Sequence, residues 1–323
     1  MDLLKFAVRK LIGGVPLILG VTLVSFLLMV YFGPDLTYEQ LGKNPTPEAI
    51  EQVRESLGYN QPFIVRYGQY LTELITLDFG FSMVKDQAVN QMLAQSIPIS
   101  LQLTLPGFIL GNILAVLLAL WAASHRGNWI DKTIMTGSVI GMSVSFLVVI
   151  IAFQIMLSSR YGLNLFPVRG WNVHLADGSF SWWQYLQFVT VPTLATVFVA
   201  LGYNTRFYRA VLVEEINKDH VRTARAFGHS QHHIMLKAVL KNAMVPIITR
   251  IMFSIPLIVV SGSLLIESYF GIPGVGQITY DAIIAGDQPI LKAVVGLTAV
   301  LFVLVLLITD ILYRVFDPRV ELK

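Results

Sequence analysis

The 323-residue chain contains no cysteine. Disulfides, thiolate metal sites, cysteine nucleophiles and lipid attachment at cysteine are therefore all excluded. Charge is scarce as well: Asp, Glu, Lys and Arg make up 13% of the residues, against 55% that are hydrophobic. Ordinary soluble domains carry about a quarter charged residues, and a mean hydropathy of +0.66 places this chain in lipid. No G-x-x-x-x-G-K-[ST] loop is present; Gly42-Lys43 is followed by Asn44, so that device for cradling nucleotide phosphates is missing. Neither H-E-x-x-H nor G-x-S-x-G occurs. The common intramembrane hydrolase chemistries thus have no visible residues, and no catalytic, cofactor or metal residue can be named.

What is present is a set of runs free of Asp, Glu, Lys and Arg, at 11–34, 87–124, 133–159, 178–205, 251–266 and 293–309. A spanning helix needs about 20 mostly apolar residues. Six transmembrane helices are predicted, near 10–32, 98–122, 134–157, 185–205, 245–267 and 291–312. The last two runs are short, and Arg250 and Lys292 at their edges extend them by snorkelling. The first run follows Lys5, Arg9 and Lys10, as a signal peptide would. It is too long for a typical apolar signal core and no small-residue cleavage site follows it, so it reads as a permanent helix.

The net charge of +3 is not gathered on one polar face, which argues against a nucleic-acid partner. The basic residues instead sit at span ends, and Arg206, Arg209, Lys218, Arg222, Arg225, Lys237 and Lys241 crowd the connection between the fourth and fifth spans. The positive-inside rule then puts that loop and both termini in the cytoplasm. The chain accordingly divides into an N-terminus and first span, 1–32; an external segment, 33–97; a five-helix core, 98–312, with a loop at 206–243; and a cytoplasmic tail, 313–323.

The external segment is folded: Thr46 caps a helix predicted at 47–57, Pro47 takes its first position and Gly58 follows its end. A second external loop, 160–183, carries Trp171, Trp182 and Trp183, which read as an interfacial aromatic belt. The cytoplasmic loop reads as helix, turn, helix. Asn217 caps a run ending at Phe227, Gly228 supplies a left-handed residue and Ser230 caps the next helix. Such a rigid knuckle is placed to receive force from a cytoplasmic partner. His229, His232 and His233 share a face there, but no Asp or Glu stands near to complete a metal shell.

Inside the spans the polar residues are neutral, among them Thr104, Asn112, Asn204, Ser254 and Ser261. They suit a wet, uncharged passage, for which Asn204, Ser254 and Ser261 are the candidates, although each alone also serves as interhelical glue. Chains of mid-span carboxylates or arginines, which proton-coupled pumps and voltage sensors need, do not occur. Beyond Pro256, the stretch from Glu267 to Gly276 packs three glycines and a proline into six residues, a re-entrant turn at the outer mouth. It reads as a gate built on Glu267, Phe270, Pro273, Gly274 and Gly276.

These residues carry a resemblance. Asp219-His-Val-Arg-Thr-Ala-Arg-Ala-Phe-Gly228, followed by Leu240-Lys-Asn-Ala-Met-Val-Pro246, resembles the coupling loop of ABC importer permeases of the oligopeptide, dipeptide and nickel class. Glu267 to Gly276 is similar to that family's E-S-x-F-x-x-P-G-x-G element. Asp310, Tyr313 and Asp317-Pro-Arg319 match its ending. Leu57-Gly58, Pro62, Tyr67 and Asp78-Phe-Gly-Phe-Ser82 look like the outer pattern of its B-type subunits. The chain departs at Arg222-Thr-Ala224, where importers in general have Glu-Ala-Ala, at Phe227, where Lys is usual, and at Phe32-Gly-Pro-Asp35.

The resemblance implies an inner-membrane subunit of a bacterium that couples to ATPases through Asp219, Arg222, Thr223, Ala224, Arg225, Phe227 and Gly228. It also implies pairing with a second homologous permease, usually a distinct one, two cytoplasmic ATP-binding subunits and an external solute-binding protein. Peptides are the first cargo implied, with oligosaccharides or nickel as the alternative. A self-sufficient secondary transporter would lack coupling charge and leave the cytoplasmic knuckle unexplained.

Overall fold

The computed structural model describes residues 3–32, 46–56, 60–82, 84–257 and 263–316. Gly58, Ser261, the Gly33-Pro-Asp35 stretch and Asp317-Pro-Arg319 lie outside these. The elements, in order, are helices α1 (Leu3–Phe32), α2 (Pro47–Ser56) and α3 (Phe63–Thr76), and strands β1 (Phe81–Ser82) and β2 (Gln87–Ala88). Then come α4 (Val89–Ser124), α5 (Trp129–Ser143), α6 (Phe146–Ser158), α7 (Trp182–Ile216) and α8 (Asp219–Ala226). The short α9 (Gln231–His233) runs through a π-helical stretch, Ile234–Leu240, into α10 (Lys241–Leu257). The last helices are α11 (Ser263–Phe270), α12 (Val275–Ala285) and α13 (Gln288–Phe316).

The chain is an all-α membrane protein. Among the described residues, five stretches are long and apolar enough to cross a membrane: Val8–Tyr31, Val89–Ser124, Trp182–Ile216, Gln231–Pro256 and Gln288–Tyr313. A bent pair of helices brings the number to six when it is counted as one span. Where the sequence predicts one span at 134–157, α5 and α6 meet at 99°. Ser143 and Ser145 flank the break; Ser143 turns its hydroxyl back onto the Val139 carbonyl at 2.7 Å, and such local bonds compete with helix continuation.

The chain forms two compact units, Met1–Ile97 with Ile278–Leu304, and Pro98–Gln277 with Val305–Lys323. In the first, α3 lays Phe63, Tyr67, Tyr70 and Leu74, spaced at helical intervals, toward the core. Phe26 of α1 stacks on Tyr70 at 5.5 Å. The Tyr70 hydroxyl donates to the Lys292 carbonyl at 2.9 Å, and the Lys292 ammonium pairs with Glu73 at 3.0 Å. Burial pushes the Tyr70 pKa above the ordinary tyrosine value. Thr46 caps α2 as predicted, its Oγ1 accepting from the Ala49 N–H at 3.3 Å. The hairpin β1–β2 pairs Phe81 with Ala88 and Ser82 with Gln87, and buried Ser82 donates to Asp287.

The second unit is organised around α7. Its N-terminal half packs with α4, α6 and α11 through Leu103, Ile150, Val189, Ala195, Ile266 and Phe270. Its C-terminal half packs Tyr208 and Leu212 against Ala115, Ala119 and Ala123 of α4 and Ile247 of α10. Alanines one turn apart let two helices approach closely.

Candidate functional site

In the last turn of α11, ahead of its connection to α12, Glu267 is fully buried, with no exposed surface. Its Oε1 accepts from the Ser100 hydroxyl at 2.6 Å, and Oε2 accepts from the Gln277 N–H at 3.1 Å. The Gly276 N–H also donates to this carboxylate, while Ser100 Oγ accepts from the Val275 N–H at 2.8 Å. The first N–H groups of a helix have no partner within it, and a carboxylate there meets the positive end of the helix dipole. Glu267 and Ser100 thus cap α12 from beneath.

Gly274 is held to glycine by close approach: a Cβ at that position would overlap the Glu267 carboxylate. The turn closes through Ile272 N–H to the Glu267 carbonyl at 2.9 Å and Gly274 N–H to the Ile272 carbonyl at 2.8 Å. Phe270 is buried, and its carbonyl accepts from the Gly170 N–H of the 160–183 loop at 2.8 Å. Tyr269 donates to Gln154 of α6. Glu267, Phe270, Gly274 and Gly276 therefore share one buried turn, and Pro273 lies on its surface.

Below this turn a cavity of about 270 Å³ opens between α4, α7 and α10. Asn204 and Ser254, two of the three predicted pathway residues, line it together with Asn112, Tyr203 and Arg250. Asn112 Oδ1 accepts from the Tyr208 hydroxyl at 2.6 Å and from Asn204 Nδ2 at 3.2 Å. Arg250 was expected to snorkel out of the fifth span; it stands on the cavity wall instead, with its guanidinium 5.7 Å from the Phe207 ring centre. A lone Arg in an apolar run is itself a signal of function, but only the helix packing shows which way it turns.

Past residue 205 α7 continues unbroken to Ile216. Asn217 ends this helix as its C-cap, and Lys218 takes the N-cap of α8, in place of the cap predicted for Asn217. The long preceding helix makes the difference: Asn217 keeps a helical backbone (φ −86°, ψ −4°) where an N-cap is extended, and its side-chain Nδ2 donates back to the Val213 carbonyl at 2.9 Å. Glu215, buried, accepts from Lys218 Nζ at 2.6 Å and stands 3.3 Å from His220 Nε2. That hydrogen bond raises the Lys218 pKa above the ordinary lysine value.

Helix α8 presents two faces. Val221, fully buried, and Ala224 pack on the inner core of α7 and the π-helical stretch. Arg222 and Asp219 are exposed, paired at 3.5 Å; Arg225 is exposed too, and Phe227 is 78% exposed. The helix ends with the His229 N–H on the Ala224 carbonyl and the Gly228 N–H on the Arg225 carbonyl at 2.9 Å. Gly228 has φ +76°, the left-handed residue this closure requires. Ser230 caps α9 as predicted, accepting from the His233 N–H. The His229 and His233 rings stack at 4.7 Å, and among the described residues no group of three or more His, Cys, Asp or Glu forms a metal set.

Sequence reasoning missed the ion pair behind this knuckle. Asp131, 5% exposed, takes a two-pronged contact from Arg209 at 2.5 Å and also accepts from the Gly127 N–H at 2.9 Å. The partners are 78 residues apart, so no local motif betrays them.

Comparison with known proteins agrees with this architecture. Residues 99–322 match the family described as binding-protein-dependent transport system inner membrane component. Residues 3–104 match the N-terminal region of binding-protein-dependent transport system membrane components. The dipeptide transport system permease protein DppB of Lactococcus lactis is 34% identical over 307 residues, 95% of each chain. The glutathione transport system permease protein GsiC of Salmonella choleraesuis is 29% identical over 321 residues, 99% of this chain and 100% of the relative. In fold, the chain is similar to a chain of the MetNI methionine ABC transporter, with a TM-score of 0.54 and 18% identity over 70% of this chain and 97% of that one.

Proposed function

The chain belongs to the binding-protein-dependent transport system inner membrane component family, and on that premise we propose how its parts divide the work of import. It is a multi-pass inner-membrane permease subunit of an ABC importer. The cargo in our reading is a short peptide, supported by the dipeptide and glutathione permeases among its relatives. The cavity beside Asn204 and Ser254 is half of the pathway, and a second, homologous permease supplies the other half.

Hydrolysis of ATP falls to two cytoplasmic ATP-binding subunits, because this chain has no P-loop of its own. The observation that carries the coupling role is the two-faced helix α8. Val221 anchors it on the span core while Phe227, Arg222 and Arg225 stand out in solvent. An exposed aromatic ringed by cations is a surface awaiting a partner. ATPase closure pulls on α8, the unbroken α7 transmits the movement, and the two halves of the pathway open alternately. The Glu267–Gly276 turn gates the outer side, where a solute-binding protein docks.

Co-expression with ATPase subunits tests the assignment. The chain should co-purify with them and transport only with ATP; uptake by the chain alone, without ATP, would overturn the reading.

A further inference from the structure

We propose that Arg250 is the binding site for the carboxylate of the transported solute, so that the pathway itself selects anions. This deepens, and rests on, the reading of the cavity as pathway. Thr104, Phe146, Thr196, Val199 and Ile266 line the cavity toward α11, and Asn112, Asn204 and Arg250 line it toward α8. From Thr196 to Asn204, both on its wall, helix α7 advances about 12 Å, so Arg250 stands at one end of the lining.

Among the described residues Arg250 is the one charged residue on this wall, and none of their carboxylates forms an ion pair with it. Unpaired ionisable groups at membrane depth are costly and are retained where they act. Its neighbours do not neutralise it either. Phe207 offers only its ring face, and the Asn112 oxygen is already taken by Tyr208 and Asn204. A guanidinium offers a planar fork of donors that matches a carboxylate in a bidentate way, and the Arg250 side chain is exposed and so accessible to one. A peptide entering carboxylate-first would set its terminus on Arg250 and its side chains beside Phe146, Val199 and Ile266.

The absence of cysteine makes a direct test available. Ser254 lies one helical turn beyond Arg250 on the same wall, so S254C reports the potential of the cavity. In the assembled complex in membranes, labelling of this chain by anionic sulfonatoethyl and cationic trimethylammonioethyl methanethiosulfonates gives a rate ratio. R250Q should lower the anion-to-cation ratio by about tenfold, and R250K, which keeps the charge, should preserve it. An unchanged ratio in R250Q overturns the proposal.

A second arm measures uptake at saturating binding protein of one peptide as its free acid and as its C-terminal amide. R250Q should lower uptake of the acid about tenfold and leave the amide within about twofold, with R250K intermediate because it lacks the fork. Equal loss of both peptides overturns the carboxylate site. Should no variant, nor the unaltered complex, move either peptide while the labelling ratio still responds to R250Q, the peptide reading fails and the anion site stands.

Discussion

Ser100 and Glu267, 167 residues apart in sequence, meet at 2.6 Å in the buried turn that starts helix α12. Through that contact α4 is tied to the segment read as the outer gate. Removing the carboxylate orphans the Gly276 and Gln277 N–H groups and the Ser100 hydroxyl together. Glu267→Ala should therefore destabilise the protein by about 3 kcal/mol, the upper range for leaving buried polar groups unpaired. Thermal unfolding of the purified complex reads this, and an unshifted midpoint would remove Glu267 from any structural account of the turn.

Gly274 should tolerate no side chain, because the Glu267 carboxylate occupies the place of its Cβ. Gly274→Val should abolish uptake while the ATPase subunits remain bound, as α8 lies elsewhere in the chain. Full uptake by this variant would show that the turn does not gate.

At Gly228, with φ +76°, a β-branched residue is strained by roughly 1 to 2 kcal/mol, whereas asparagine visits this region readily. Gly228→Val should uncouple transport from ATP hydrolysis, and Gly228→Asn should retain coupling. The ratio of solute moved to ATP hydrolysed separates the two variants; equal ratios would contradict a coupling role for the closure of α8.

Phe227 is 78% exposed, and in the proposed complex the ATPase covers it. Burying such a side chain contributes about 1.5 to 3 kcal/mol, so Phe227→Ala should weaken ATPase binding by roughly ten- to a hundredfold. Titration of the ATPase subunits onto the permease in detergent measures it. Unaltered affinity would mean that α8 docks through its charges alone.

Asp131 and Arg209 should behave as a unit. Breaking a buried pair by removing one partner costs about 3 to 5 kcal/mol, because the other charge is left stranded. Asp131→Ala should accordingly be worse than the double variant Asp131→Ala with Arg209→Ala. Strict additivity in thermal unfolding would show that the contact adds nothing.

Much of this was legible in the chain. Charge-free runs announce the spans because lipid excludes ionised groups, and Gly228 and Ser230 announce the end of one helix and the start of another by local geometry alone. That Asn204 and Ser254 line the cavity was legible for the same reason: neutral polar groups stand out in apolar runs. Contacts between distant helices were not legible. Ser100 under Glu267, Asp131 beneath Arg209 and Asn112 between Tyr208 and Asn204 each depend on packing that no local pattern encodes. Arg250 was visible but its direction was not, since a lone arginine near a span edge satisfies snorkelling and cavity lining equally until its neighbours are known. Asn217 shows the converse: a good cap residue lost its role because the preceding helix runs through it and takes its side chain back onto the Val213 carbonyl.

The most direct measurement of the central claim is peptide uptake into proteoliposomes holding this chain, its partner permease and the ATPase subunits. With binding protein outside and ATP inside, labelled peptide should accumulate against its gradient, and withdrawing either should stop it. Accumulation that persists without ATP, or without the ATPase subunits, would contradict the account.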